Sequence, residues 1–158
     1  MSAQAKDDDV TGTKAGSGFS AQEKAAMKER AAELKAQGRS GKAAEKAAAE
    51  AQTMFDKIAA MPEPDRGMAE RLHTIVSEAA PDLLPKLFYG QPAWTRGGKP
   101  VVFFRSGQGD KERYSTLGFS SLAALDDDAG LWPTSYALTH IDDASAATIA
   151  ALVTHAAR

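Results

Sequence analysis

The residues able to do chemistry in this chain are few and scattered. His140-Ile141-Asp142-Asp143 is the one place where an imidazole and carboxylates follow one another closely. Such nitrogen and oxygen donors suit a hard or borderline metal ion, although Asp142 or Asp143 could equally cap a following helix. Asp126-Asp127-Asp128 is a second carboxylate run. It could bind a hard cation weakly, or simply be a solvated turn. Asp56, Glu63, Asp65, Glu70 and Glu78 could form a broader acidic face on two helices. His73 falls beside an apolar helix face, and His155 in a last helical turn, where a cation favours the helix dipole.

Catalytic signatures are missing. With 0 Cys the chain has no disulfide, thiolate metal site, iron–sulfur ligation or cysteine nucleophile. It contains no G-x-S-x-G, no P-loop, no H-E-x-x-H and no complete G-x-G-x-x-G. Gly107-Gln108-Gly109 lacks the third glycine and a following helix, so it reads as a turn. A non-enzymatic protein is the expectation.

The aromatic segment Phe88-Tyr89-Gly90-Gln91-Pro92-Ala93-Trp94 is the most unusual local feature. Gly90 and Pro92 impose a change of direction. Tyr89, Gln91 and Trp94 are then expected to line a concavity with polar handles, suited to a small molecule or a peptide. Packing in the core or at a sheet edge is the competing use of the same aromatics.

The elements that must position these residues follow from periodicity. Ala47, Ala51, Met54, Phe55 and Ile58 share one face of a helix that Pro62 ends. Met68, Leu72, Ile75, Val76 and Ala79 give a second helix from Pro64-Asp65 to Pro81. Asp82 to Pro85 reads as a connector. Short β-type runs follow at 86–89, 92–95, 100–105 and 112–117, with Gly97-Gly98 as a hairpin signal and Gly118 closing the last run. Ser120 or Ser121 is expected to cap a short helix over Leu122 to Leu125. Thr134 to Ile141 reads as a final strand, and Ile149, Leu152, Val153 and Ala156 line a last helix. The expected core is Phe55, Ile58, Leu72, Ile75, Val76, Leu87, Val102, Phe104, Leu117, Leu138, Ile149, Leu152 and Val153. The order implies an α+β two-layer fold, an antiparallel sheet of about four to five strands with helices packed on one face.

Residues 1–47 differ in kind. Their only aromatic is Phe19, and Ala, Lys and Glu fill much of the segment. So little apolar surface reads as a flexible, partly disordered leader with a helix near 20–37. Ser20 and Glu23 form its capping box and Gly38 its stop. Lys24, Lys28 and Lys35 could dock on a partner or on nucleic acid, but Glu29 and Glu33 interrupt that basic face. Across the 158 residues, 19 basic and 21 acidic side chains leave a net charge of -2. That balance argues against nucleic-acid binding through bulk charge. No run reaches the roughly 18 apolar residues of a membrane span. A cytoplasmic protein with a domain at 48–158 is expected, and a homodimer is compatible with the sequence.

The helix ending Ala79-Ala80-Pro81, then Phe88-Tyr-Gly-Gln-Pro-Ala-Trp94, Gly98-Lys-Pro-Val-Val-Phe-Phe104 and Leu117-Gly-Phe119, resembles the YdhG-like domain family, small bacterial α+β domains. The resemblance spans about residues 52–157. It carries Tyr89, Gly90, Pro92, Trp94, Gly118 and Phe119 as signature residues. Some members are described as frataxin-like iron chaperones, so the resemblance implies iron binding and delivery to iron-cofactor assembly proteins. Asp126, Asp127, Asp128, His140, Asp142 and Asp143 are the candidate ligands, none fixed by the signature itself.

Overall fold

The computed structural model describes residues 21–158. The chain divides into two compact units, 1–42 and 43–158. The expected disorder of residues 1–20, and the Ser20 half of the capping box, lie outside the described residues.

Helix α1 runs Ala21–Ala59. Gly38 does not stop it, and no separate helix begins ahead of Ala47; the two expected helices are one. Each glycine in a helix interior costs about 1 kcal/mol relative to alanine. Gly38 and Gly41 are flanked by strong helix formers, and the first proline after them is Pro62. The helix therefore ends where proline forbids it to continue. In the first unit, residues 21–42 of α1 are exposed throughout.

The second unit holds the rest of α1, helix α2 (Asp65–Ala79), strands β1 (Leu84–Phe88), β2 (Gln91–Arg96), β3 (Lys99–Arg105), β4 (Ser115–Phe119) and β5 (Ser135–Leu138), and helix α3 (Asp143–Ala156). The strands form an antiparallel sheet in the order β1-β2-β3-β4-β5, an α+β fold with helices on one face. No helix among the described residues is long and apolar enough to cross a membrane.

Register decides which side chains meet the helices. Trp94 pairs with Val102, and Phe104 with Leu117. Directly paired residues share a face, and these four are buried. They join Leu72 and Val76 of α2, and Ile149 and Val153 of α3, in one core. Fully burying such side chains favours folding by roughly 1.5–3 kcal/mol each. Met54, Met61, Val101 and Leu83 also belong to this core, although the sequence did not single them out for it. Phe55, expected inside, is 37% exposed and sets its ring edge against His73.

Four further features differ from expectation. Leu84 and Pro85 belong to β1 rather than a connector; Pro85 is tolerated because β1 is an edge strand. The fourth strand covers 115–119, not 112–117, and Gly118 lies inside it because the Phe103 ring occupies the space of a Cβ there, 2.1 Å from that position. No helix forms over 122–125. Ser120 Oγ donates to the Pro100 carbonyl and accepts from Leu122 N, while Ala124 N donates across the fold to Ala156 O. The bond from Leu122 N is the cap that such a helix would use, but Ala124 N, whose helical partner would be the Ser120 carbonyl, is taken by Ala156 O. The last strand is also shorter than expected, at 135–138.

Charged and polar side chains tie the layers. Arg71 of α2 donates to the Ile141 carbonyl (2.6 Å) and to Asp143 Oδ1 (2.8 Å). Arg96 of β2 donates to the Ala157 carbonyl (2.5 Å) just past α3. The Asp142 side chain accepts from Ser145 N, and Ser145 Oγ accepts from Asp142 N, a reciprocal cap on α3.

Candidate functional site: the open face of the sheet

Side chains alternate across a strand, so the residues between the core positions point away from the helices. Gln91 pairs with Phe88, Ala93 with Phe103, and Phe103 with Gly118. The missing side chain at Gly118 lets the Phe103 ring lie flat against the sheet. Beside it opens a cleft of about 770 Å³, within the range of small-molecule sites.

Phe88, Tyr89 and Phe103 supply aromatic walls, and Pro100 and Leu122 aliphatic ones. Polar groups converge at the margins: Gln91, Lys99, Arg105, Asp110 and Ser121. Gln91 Oε1 accepts from Ser106 N (3.3 Å), which orients its amide. Arg105 donates to Asp110 Oδ2 (2.6 Å), and Glu112 stands 3.7 Å from the same guanidinium. Its pKa is raised by the hydrogen bond and charge of Asp110, then by the charge of Glu112. Lys99 makes no ion pair among the described residues. Lys99 is thus the cation left to meet an incoming anion.

Tyr89 is the residue whose placement demands a reason. With Gly90 it forms the two-residue turn between β1 and β2, at φ values of 50° and 76°. Turns of this type favour Asn-Gly, Asp-Gly or Gly-Gly, since a left-handed backbone costs other residues roughly 1–2 kcal/mol. Tyr89 is 90% exposed, so burial recovers almost none of that. Its ring meets the Phe88 ring edge-on, with centroids 4.6 Å apart, at the cleft.

A buried carboxylate holds the far wall in place. Asp65, at the first turn of α2, is 2% exposed and accepts from Ser106 Oγ, Ser115 Oγ (2.9 Å) and Gln108 N (3.1 Å). Three donors on one carboxylate compensate its burial. Gly107 then packs so closely on Tyr114 that a Cβ would come within 2.2 Å of its carbonyl oxygen. The loop that carries Asp110 to Arg105 is therefore anchored in the core.

The expected concavity is only partly assembled. Tyr89 and Gln91 line the cleft. Trp94 does not: it faces the helices, 1% exposed, and donates from Nε1 to His73 Nδ1 (3.2 Å). Pro92 is buried, Gly90 completes the turn, and Phe119 packs edge-on against Tyr136 in the core layer. Phe103, Leu122, Lys99 and Arg105 escaped the sequence reading. Strand alternation leads from Gln91 to Ala93, which pairs with Phe103, and Arg105 follows two residues on, so that pattern could have found Phe103 and Arg105; Lys99 lies beyond the bulge at Trp94/Thr95 and Leu122 lies outside the strands.

The metal candidates sit elsewhere. Asp126, Asp127 and Asp128 occupy the β4–β5 connection, where Asp127 Oδ1 accepts from Ala129 N. His140 Nε2 is 3.8 Å from Asp142 Oδ2. Asp142 is committed to its cap, which lowers its pKa through the hydrogen bonds from Ser145, and Asp143 to Arg71. Among the described residues, no group of three or more His, Asp or Glu is placed to hold one metal ion. His73 is enclosed by Phe55 and Trp94, and burial lowers its pKa.

Compared with protein-family models, with curated proteins and with solved structures, the chain matches none.

Proposed function

We propose that residues 43–158 form a binding module, without catalytic chemistry of its own, that takes a small planar molecule in the cleft on the open sheet face. The observation that carries this reading is Tyr89, an exposed aromatic held at a left-handed backbone position above an apolar cleft. A side chain that gains so little in the free protein is accounted for by contact with something bound. Phe88 and Phe103 would sandwich or edge a flat ring, Lys99 would attract an anionic substituent, and the Gln91 amide would give a directional bond. The cleft sets no nucleophile beside a general base, which favours binding over catalysis.

Ligand-observed NMR with a panel of aromatic carboxylates tests it. Binding that weakens at least tenfold in both Phe103→Ser and Tyr89→Asn supports the reading. Binding indifferent to both substitutions, or absent across the panel, removes it. Trp94 fluorescence is a poor reporter here, since the indole faces the other side of the sheet.

Iron delivery to cofactor-assembly partners, which the YdhG-like resemblance implies, is the second reading. It would draw on His140 and Asp142, whose Nε2 and Oδ2 lie 3.8 Å apart. Anaerobic titration of ferrous iron into the protein and into Asp142→Asn/His140→Gln separates it from the first, because the cleft shares neither residue.

A further inference from the structure

Continuity of α1 through Gly38 has a consequence for the charges it carries. With 3.6 residues per turn, Lys24, Lys28, Lys35, Arg39 and Lys42 fall within an arc of about 60° and span roughly 27 Å of helix. All five are exposed. None is drawn into an ion pair or side-chain hydrogen bond among the described residues. Glu29 and Glu33, which in sequence interrupt this face, lie roughly 120° and 160° around the helix from its centre, and Glu23 about 120° the other way. The chain's near-neutral total conceals a straight cationic rail.

We infer that this rail docks on the phosphate backbone of double-stranded DNA, without regard to base sequence. Three features select that occupant. The charges are arranged in a line, as a duplex presents phosphates, and their count suits binding driven by counterion release. Residues 21–42 contain no aromatic side chain, so they lack the stacking platforms that single strands use. The apolar stripe is thin, consisting of Met27, Ala31 and Leu34 before Gly38, whereas helices that lie in a membrane surface present a broad face with Trp, Phe or Leu. Alanine and glycine fill much of the remaining surface, which keeps the helix slender enough to lie along a major groove about 12 Å wide.

Fluorescence anisotropy of the full chain with a labelled duplex of about 30 base pairs tests this. Weak binding is expected, with log K falling against log salt at a slope approaching −4.5 if all five cations engage. Lys28→Gln/Lys35→Gln should reduce that slope by about 2, while Glu29→Gln/Glu33→Gln leaves it unchanged. Circular dichroism checks that α1 persists, as expected for the similar helix propensities of Gln and Lys. The inference is overturned by no binding at about 20 mM salt, where screening is weak. An unaltered slope in the lysine variant overturns it too, as does retention on anionic phospholipid vesicles at salt that releases the duplex.

Discussion

Phe103 and Phe104 are adjacent in β3, yet one faces the open cleft and the other the core. Phe104 is fully buried against Leu117 and the helices. Phe103 is only partly buried, spread over Gly118 at the cleft. The two turns flanking β2 repeat the contrast. Gly97-Gly98 adopts φ values of 60° and 79°, and Tyr89-Gly90 nearly the same. The β2–β3 turn uses the residue the backbone prefers, whereas the β1–β2 turn places an exposed tyrosine over the cleft. Phe104 and Gly97-Gly98 stand where burial and backbone preference favour them, whereas Tyr89, 90% exposed at a left-handed φ, gains from neither.

Substitutions can break that contrast. Phe104→Ala should cost about 3–5 kcal/mol, as deletion of a buried aromatic does; urea unfolding that showed Phe103→Ala to be the costlier change would dissolve the distinction between faces. Gly118→Ala should lose roughly 1–3 kcal/mol, since the Phe103 ring must leave its seat, and should weaken any cleft ligand in parallel. Tyr89→Asn is expected to stabilise by about 1 kcal/mol, because Asn accepts the left-handed turn, while binding falls. Stability and binding moving together there would mean that Tyr89 serves the fold.

The smallest effect concerns pH. His73 Nδ1 accepts from Trp94, so the bond requires the neutral ring, and burial lowers the His73 pKa. The folded state thus binds its proton less readily than the unfolded chain. The resulting stability is present above the unfolded value of about 6.5 and is lost as pH falls through the lower folded value. Urea midpoints should therefore decline from pH 7.5 to 5.5, and His73→Gln should flatten part of that slope.

How much of this was legible in the residues varies with how local the cause is. The stripe of α2, the Gly97-Gly98 turn and the Asp142 cap each arise from neighbours within a few positions, and all three stand where periodicity and turn chemistry put them. The expected helix over 122–125 had a local signal too. It gave way to the bond from Ala124 N to Ala156 O, a partner far away in sequence. The aromatic segment stands out by its composition, but Tyr89 lines the cleft while Trp94 faces the helices. Which residues of Tyr-Gly-Gln-Pro-Ala-Trp form the turn sets the parity of all that follow, and a shift of one inverts every side chain.

Periodicity and punctuation alone determined that helices would precede and follow a run of antiparallel strands, because dihedral preferences and hydrophobic spacing act over a few residues. Only the tertiary structure decided that Phe103 and Gly118 would meet, that Asp65 would anchor the 106–110 loop, and that the cleft would open on the face away from the helices. Those arrangements depend on strand register and on partners dozens of residues apart, and such contacts leave no local pattern in the chain.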